Sequence, residues 1–213
     1  EKKGSQIFYK QISENIPSNI DLVIYTVAIP ENNPELQKAR QLGIPLLSYP
    51  QILGLLSKDM ITIAVAGTHG KTTTTAMLSH ILQNTEIEPT VIIGSTIINQ
   101  EANFIDGKGK YLLVEADEYK KSFLNLNPKY LIITNIDEDH LDFYKDLEDI
   151  QNTFRDLVSK IPKDGFLVCD KTHPHLQSVI KDTKCTVIDY RDIFQKNLVL
   201  TLPGIHNRQN ASA

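Results

Sequence analysis

The chain has 213 residues, of which 41% are hydrophobic and 23% are charged, and its formal net charge is −4. This composition is typical of a globular protein that is long enough to bury a sizeable core. The negative balance argues against a nucleic-acid surface, and no apolar run reaches the roughly 18 residues of a membrane span. Cys169 and Cys185 form no metal or redox motif, so we interpret them as reduced core thiols. No secretory leader is evident, which predicts a cytoplasmic protein.

The first part of the chain alternates predicted strands and helices. Residues 21–27 and 44–47 have the apolar runs of buried strands, and residues 33–42 and 50–57 have helical patterns. This alternation predicts part of a Rossmann-like α/β domain, although no glycine-rich first turn precedes it. We expect a linker near residues 57–60.

The same alternation continues through the rest of the chain. Strands are predicted at 61–66, 90–93, 110–114, 130–134, 166–169 and 186–188. Helices are predicted at 72–83, 147–160 and 174–180, and a loop or hairpin at 97–109. Apolar residues recur on one face of the helix at 147–160, namely Ile150, Phe154, Leu157 and Ile161. The closing PGIHNRQNASA has the pattern of an opening helix, so both ends of the chain are interpreted as cut.

The stretch AVAGTHGKTTTT follows a predicted strand and differs from the common phosphate-binding loop. The common pattern places a glycine where this chain has Val65, which we assign to the strand instead. Gly67 and Gly70 allow backbone N–H groups to turn toward phosphate oxygens. Lys71 offers a charge for the β- and γ-phosphates of a nucleotide, and Thr72 offers a hydroxyl for Mg²⁺. The order of strand, loop and helix predicts a P-loop in a parallel-sheet α/β domain, with a glycine-containing turn and an incidental lysine as the alternative.

Acidic side chains follow two further predicted strands. Glu115, Asp117 and Glu118 follow the first, and TNIDEDHLDFY, which contains Asn135 and His140, follows the second. Because the carboxyl ends of parallel strands meet at one edge of a sheet, we expect these residues near the loop. Carboxylate oxygens are ligands that Mg²⁺ prefers. The pattern favours a cation site over a merely solvated acidic loop.

Two histidines, His173 and His175, flank Pro174 further along the chain. Two histidines this close can bind a metal, but no cysteine or acidic cluster joins them. We therefore interpret them as a solvated helix start.

Three motifs occur in a fixed order, namely GTHGKTTTT, then EADEYKKSF with TNIDEDHLDFY, then PGIHNRQNASA. In that order they resemble the Mur ligase family, ATP-dependent amide-forming enzymes of peptidoglycan synthesis. Two further features are similar to the family members that join L-alanine to UDP-N-acetylmuramate. These are the stretch VIYTVAIPENNPELQKARQLGIPLLS and the histidine in the loop, His69. The resemblance implies that residues 1–57 are the C-terminal part of a UDP-substrate domain and that residues 58–213 form a central ATP-binding domain. The family's C-terminal amino-acid-binding domain would be absent.

The resemblance also implies roles for individual residues. The implied cradle for the ATP phosphates consists of Gly67, Thr68, His69, Gly70, Lys71, Thr72 and Thr73. Thr72 and Glu115 would bind Mg²⁺, and His140 would hold a second metal near the γ-phosphate. Lys71, Glu115 and His140 are thus the implied catalytic residues. The residues implied to lie near the adenine or to support the site from a strand end are Asn135, His206, Asn207 and Asn210.

The implied reaction needs no protein nucleophile. ATP would phosphorylate the muramyl carboxylate, and the amine of L-alanine would attack the acyl phosphate. Two alternatives remain, a ligase that recycles murein tripeptide, whose core also carries EADEY, and a non-catalytic ATP-binding module. Because a third domain would be missing, we expect this chain to bind ATP and Mg²⁺ without ligating alone, and we expect no nucleic-acid or membrane partner.

Overall fold

A computed structural model of the chain describes residues 4–97, 102–192, 200 and 204–213. The chain divides into two compact units, Glu1–Leu53 and Gly54–Ala213. The division falls inside a helix, Tyr49–Asp59. Within the described ranges, none of the helices combines the length and the apolar character that crossing a bilayer requires.

The first unit contains a small parallel sheet of two strands. β1 (Val23–Tyr25) pairs in parallel with β2 (Leu46–Ser48), and α1 (Pro34–Gln41) lies between them in the chain. The side chain of Asn33 caps α1 by accepting hydrogen bonds from two backbone N–H groups of the first turn. Leu36 is 2% exposed and forms part of the buried face of α1. The predicted strand–helix–strand alternation is therefore confirmed.

The second unit is built on a seven-stranded sheet. Its strands are β3 (Ile61–Ala66), β4 (Thr90–Ile97), β5 (Ala102–Ile105), β6 (Tyr111–Glu115), β7 (Tyr130–Ile133), β8 (Phe166–Cys169) and β9 (Thr186–Asp189). The α-helices that follow α1 are α2 (Tyr49–Asp59), α3 (Lys71–Gln83), α4 (Leu147–Ser159), α5 (Gln177–Ile180) and α6 (Ile205–Ser212). The strand order is β5-β4-β6-β3-β7-β8-β9, and each pair is parallel except the antiparallel pair β4–β5. The predicted α/β class with a parallel sheet is confirmed.

The centre of this sheet is β3, which lies between β6 and β7. Val65 is opposite Glu115 on one side and Ile132 on the other. The chain leaves β3 through α3 toward β4, and it leaves β7 through α4 toward β8. Right-handed crossovers in opposite directions place α3 and α4 on opposite faces of the sheet. Their divergence opens a crevice at the carboxyl ends of β3 and β7, where open α/β sheets bind ligands.

One face of the sheet is filled by a cluster of short apolar side chains. Val65, Val91, Leu113 and Ile132 come from four adjacent strands and are at most 7% exposed. Leu78 of α3 packs against them. The burial of Val65 confirms that this position belongs to the strand and not to the loop.

The predicted apolar face of α4 is buried as expected. Ile150, Phe154 and Leu157 of α4, and Ile161 just beyond its end, are each at most 4% exposed. The ring of Phe154 meets that of Phe123 edge to face, with 5.1 Å between centroids. Helical periodicity therefore identified the packing surface of this helix.

The predicted linker at residues 57–60 is wrong, because α2 continues through Asp59. Ser57 is only 2% exposed. Its hydroxyl donates to the carbonyl of Gly54 at 2.7 Å and accepts from the backbone N–H of Asn127 at 3.0 Å. These bonds satisfy a buried polar side chain within the helix, where linear composition suggested a break.

Two other segments differ in detail from expectation. The region 97–109 contains β5, so of the two options the hairpin is the one formed. The predicted helix at 174–180 begins as a 3₁₀ turn, Pro174–Leu176, before α5. A 3₁₀ segment that the sequence did not indicate, Tyr119–Asn125, follows β6.

Candidate active site

The loop between β3 and α3 is shaped by two glycines and held by residues that follow β7. Gly67 has φ of 134° and Gly70 has φ of 85°, values that side-chain-bearing residues rarely adopt. The Asn135 side chain accepts from the backbone N–H of His69 and donates to its carbonyl, both at 2.9 Å. Thr134 donates to the same carbonyl at 2.5 Å. The backbone of His69 is thus fixed by neighbours, in keeping with a role in shaping the loop.

Thr68 connects the loop to the segment that leads toward His140. Its hydroxyl accepts from the backbone N–H of Asp137 at 2.8 Å, and its own N–H donates to the carbonyl of Asn135 at 3.1 Å. Thr68 is 6% exposed. Its side chain therefore positions the loop rather than facing an open cleft.

Thr72 and Glu115 come together at the first turn of α3. The Thr72 hydroxyl donates to Glu115 Oε1 at 2.7 Å. The backbone N–H of Gly94 donates to Glu115 Oε2, also at 2.7 Å. A hydroxyl oxygen from α3 and a carboxylate oxygen from β6 are thus adjacent beside the loop. Hard oxygens of this kind are the ligands that Mg²⁺ favours.

The Lys71 ammonium forms a buried ion pair with Glu118. Both carboxylate oxygens lie 2.9 Å from Lys71 Nζ, and the two side chains are 14% and 3% exposed respectively. Lys71 Nζ also donates to the carbonyls of Gly67 at 2.7 Å and Thr68 at 3.1 Å. Burial raises the pKa of the Glu118 carboxyl, and the charge of Lys71 opposes that shift.

His140 lies on the far side of Glu118. It has a left-handed φ of 52°, and its Nε2 lies 3.7 Å from Glu118 Oε1. Asp117, Glu118 and His140 each offer one ligand atom, and these atoms lie within 4.8 Å of one another. Within the described residues, His140 therefore groups with Asp117 and Glu118, whereas Glu115 groups with Thr72.

A polar pocket of about 410 Å³ opens beside the loop. The lining residues are His69, Gly70, Thr73, Thr134, Asn135, Asp170, His173, Tyr190, His206, Asn207, Gln209, Asn210 and Ala213. The structure thus brings His206, Asn207 and Asn210, which were expected near adenine, together with part of the loop between β3 and α3. α6 contacts the start of α3, because the Asn210 carbonyl accepts from the Thr74 hydroxyl at 3.4 Å.

Several residues at these sites were not predicted to belong to them. Asp170 directly follows β8 and Tyr190 directly follows β9, so the strand-end rule could have identified both. Glu118 was expected near the loop as part of the same acidic run as Glu115, but its pairing with Lys71 was not predicted, because nothing in linear order links the two. The structure also changes the interpretation of His173 and His175.

The two histidines do lie at the start of a helical turn, Pro174–Leu176, as predicted, but the expectation that they are solvated is wrong. His175 Nδ1 lies 2.8 Å from the carbonyl of Ile136, and His173 lines the pocket with a buried Nδ1 that has no hydrogen-bond partner in the described structure. Burial, and next the nearby His175, lower the pKa of His173. Folding of the chain, rather than local sequence, brings these rings into a partly buried setting.

Comparisons with protein families extend over both units. The Mur ligase middle domain matches residues 65–192, and the catalytic domain of the Mur ligase family matches residues 1–60. The chain belongs to the Mur ligase family.

Curated members of the Mur ligase family are similar along the chain. The UDP-N-acetylmuramate–L-alanine ligase of Clostridium kluyveri is 42% identical over 240 residues, covering 100% of this chain and 52% of that protein. The enzyme of the same name from Clostridium tetani is 42% identical over 206 residues, covering 94% of this chain and 45% of that protein. The chain thus spans about half the length of the curated relatives it matches.

Solved Mur ligase structures share the fold. The UDP-N-acetylmuramate:L-alanyl-γ-D-glutamyl-meso-diaminopimelate ligase of Neisseria meningitides superposes with a TM-score of 0.78 at 26% identity, covering 89% of this chain and 71% of that one. The UDP-N-acetylmuramate-alanine ligase of Thermotoga maritima gives a TM-score of 0.74 at 31% identity, covering 84% and 41%.

Proposed function

We propose that this chain is the nucleotide-binding part of an ATP-dependent ligase that joins L-alanine to UDP-N-acetylmuramate. The observation that carries the proposal is that Lys71 and Thr72, at the start of α3, meet Glu118 and Glu115 at and beyond the end of β6, in a chain 42% identical to a curated alanine ligase. Residues 1–57 would complete the UDP-substrate domain and residues 58–213 the central domain, a division supported by the two family matches. We infer a cytoplasmic location because the reaction consumes ATP.

Nucleotide binding is proposed to extend from the loop into the pocket. The backbone N–H groups of residues 67–73 and the start of α3 would cradle the phosphates, since a helix N-terminus favours anions. The base would occupy the pocket, where His206, Asn207 and Asn210 stand on α6. Amide side chains both donate and accept hydrogen bonds, which suits the edge of adenine.

The residues present suit a divalent cation. The Thr72 hydroxyl and the Glu115 carboxylate offer adjacent hard oxygens, and His140 with its acidic neighbours offers a second set. When bound, Mg²⁺ would neutralise charge on the phosphates and on the phosphoryl group in transfer. Thr72 and Glu115 would hold one ion, His140 would hold a second, and Lys71 would add its own positive charge.

The proposed chemistry makes a carboxylate into an electrophile. A muramyl carboxylate oxygen attacks the γ-phosphorus of ATP, the bond to the bridging oxygen breaks, and ADP leaves. The amine of L-alanine then attacks the acyl phosphate carbonyl, phosphate departs, and the amine loses a proton. The loop and Lys71 stabilise negative charge during transfer, and no nucleophilic motif is required of the chain.

Nucleotide binding is tested by calorimetric titration of ATP with Mg²⁺. We expect the chain to bind ATP and the Lys71→Ala variant to bind about tenfold more weakly or worse, because a charge-assisted contact is lost. Lys129→Ala is the matched control, because Lys129 directly precedes β7 and forms its ion pair with Asp164 instead of with a residue of the candidate site. Absence of Mg²⁺-dependent ATP binding by the unaltered chain would contradict the proposal.

A second candidate is the addition of a tripeptide in place of alanine. It is favoured by the TM-score of 0.78 to the Neisseria meningitides enzyme, although that identity is only 26%. The full-length gene product that contains this chain should be given ATP and UDP-N-acetylmuramate with either L-alanine or the tripeptide. Phosphate release with alanine supports the first proposal, and release with the tripeptide alone supports the second.

The 213-residue chain by itself is proposed to bind ATP without ligating. It spans about half the length of its curated relatives, 52% for the Clostridium kluyveri enzyme. Alanine-dependent phosphate release by the isolated chain would contradict this.

A further inference from the structure

The P-loop lysine is fully occupied by partners within the protein. An ammonium has three N–H donors, and Lys71 Nζ donates to the carbonyls of Gly67 and Thr68 and to Glu118. A phosphate that approaches the loop must therefore take the ammonium away from an existing partner. The carboxylate is the partner that a phosphate, also an anion, replaces most directly.

Glu118 cannot lose this partner without consequence. Its side chain is 3% exposed, and its Oε2 is buried without a hydrogen bond although Lys71 Nζ lies 2.9 Å away. A buried carboxylate whose counter-ion leaves is strongly destabilised unless another cation replaces it. When Lys71 leaves, Glu118 therefore needs another positively charged partner to remain buried and ionised.

A second set of ligands lies where such a cation is needed. Glu118 Oε1 is 3.7 Å from His140 Nε2, and Asp117 completes a set of ligand atoms within 4.8 Å. The backbone at Glu118 is held firmly, because its carbonyl accepts from the Tyr144 hydroxyl at 2.5 Å and from the N–H of Lys121 at 3.0 Å. Glu118 Oε1 already lies 2.9 Å from Lys71 Nζ and 3.7 Å from His140 Nε2, so the exchange of partners is a movement of the side chain and not of the backbone.

We propose that Glu118 is a positioning residue that holds Lys71 before nucleotide binds and then turns to a divalent cation shared with Asp117 and His140. This inference rests on the proposed function, since a triphosphate is what draws Lys71 away. The exchange couples the two sites, so that phosphate binding strengthens cation binding and cation binding strengthens phosphate binding. The buried carboxylate of Glu118 thus makes the phosphate and the cation bind cooperatively.

The test is ATP affinity measured by calorimetry in metal-free buffer with EDTA and again with Mg²⁺. Glu118→Gln keeps the shape of the side chain but cannot hold Lys71 by charge. We expect this variant to bind ATP about fivefold more tightly than the unaltered chain without metal, and to gain less from Mg²⁺. Asp142→Asn removes the same charge from an exposed nearby side chain, and it should change metal-free affinity much less.

A metal-free affinity of Glu118→Gln that equals or falls below that of the unaltered chain would overturn the inference. An effect as large in Asp142→Asn would also overturn it, because general charge would then be the cause. If the unaltered chain binds no ATP even with Mg²⁺, the proposed function fails instead, and the inference falls with it.

A second variant tests the exchange if Glu118→Gln does not fold. Lys71→Met leaves Glu118 without its counter-ion in the absence of any nucleotide. We expect this variant to bind Mn²⁺ about fivefold more tightly than the unaltered chain, measured by electron paramagnetic resonance. Unchanged or weaker Mn²⁺ binding would show that Glu118 does not pass to a cation and would overturn the inference.

Discussion

At the scale of single residues, the two glycines of the loop between β3 and α3 face different surroundings. A Cβ at Gly67 would overlap the Thr134 hydroxyl and lie 2.9 Å from the carbonyl of Asn135. A Cβ at Gly70 would overlap the end of the Asn210 side chain, which can rotate away. Both glycines have positive φ, so both substitutions carry backbone strain, but only the first meets rigid backbone.

This difference predicts unequal losses of stability. Gly67→Ala should lower the free energy of unfolding by about 3 kcal/mol or more, since strain and overpacking add. Gly70→Ala should cost about 1–2 kcal/mol from strain alone. Urea titrations followed by circular dichroism measure both values. Equal losses would show that the carbonyl of Asn135 yields as readily as the Asn210 side chain.

His173 provides a prediction about pH. Burial and His175 lower its pKa in the folded chain, while Asp170 and Asp137 act in the opposite direction. The unfolded chain therefore takes up a proton first as pH falls below ~6.5, the ordinary histidine pKa. The contribution of neutral His173 to stability is complete above that pH and is lost as pH falls toward the lowered pKa.

The His173→Asn variant should accordingly lose less stability than the unaltered chain between pH 7.5 and pH 5.5, measured as the shift in thermal midpoint. His80→Asn is the matched control, because the His80 side chain is exposed on α3. It should retain the pH dependence of the unaltered chain. An identical pH dependence in His173→Asn would contradict the assignment of this effect to His173.

The parts of the candidate site that sequence predicted are those next to strong local signals. Thr72 follows a glycine-containing turn, and Glu115 ends a strand, so strand-end logic placed them at one edge of the sheet. Glu118 was expected only as a cation ligand, and its ion pair with Lys71 was not predicted, because the two residues are 47 positions apart in the chain. Such a pairing depends on which strands are neighbours, and linear order does not state that β6 lies beside β3.

At the scale of elements, α4 shows how a helix start is specified. Asp146 is the N-cap, and its side chain accepts from the backbone N–H of Asp149 at 2.9 Å. Asp146→Ala should therefore destabilise the chain by about 1 kcal/mol, whereas Asp146→Asn should be nearly neutral because asparagine caps equally well. Chemical denaturation measures both. A similar loss in Asp146→Asn would mean that charge, and not the capping hydrogen bond, is what matters.

Elements with strong boundaries were predicted well, and those formed by tertiary contacts were not. β8 was predicted at its observed limits, 166–169, because its apolar run is bounded by polar turns. The 3₁₀ segment Tyr119–Asn125 contains Lys120 and Lys121 with φ of 52° and 57°. Lysine carries no sequence signal for left-handed backbone, and hydrogen bonds from distant elements, such as that of Tyr144 to Glu118, accompany this conformation.

At the scale of the whole molecule, the two compact units differ in how much of their sheet is enclosed. β3 is paired on both sides, and its residues Ala64, Val65 and Ala66 are 0% exposed. Within the described residues β1 pairs only with β2, and Ile24 is 51% exposed. Two-stranded sheets are marginally stable unless further strands or helices cover them.

Hydrogen exchange measured by mass spectrometry should reveal this difference. Amides of β3, β6 and β7 should exchange slowest, at rates set by unfolding of the whole second unit, because their hydrogen bonds open only when the buried sheet opens. Amides of β1 and β2 should exchange much faster through local opening. ATP with Mg²⁺ should slow exchange further in the loop and α3, since ligand binding stabilises the state that binds it. Equal protection of β1 and β3 would contradict the argument, because enclosure within the sheet would then not set the local stability of the chain.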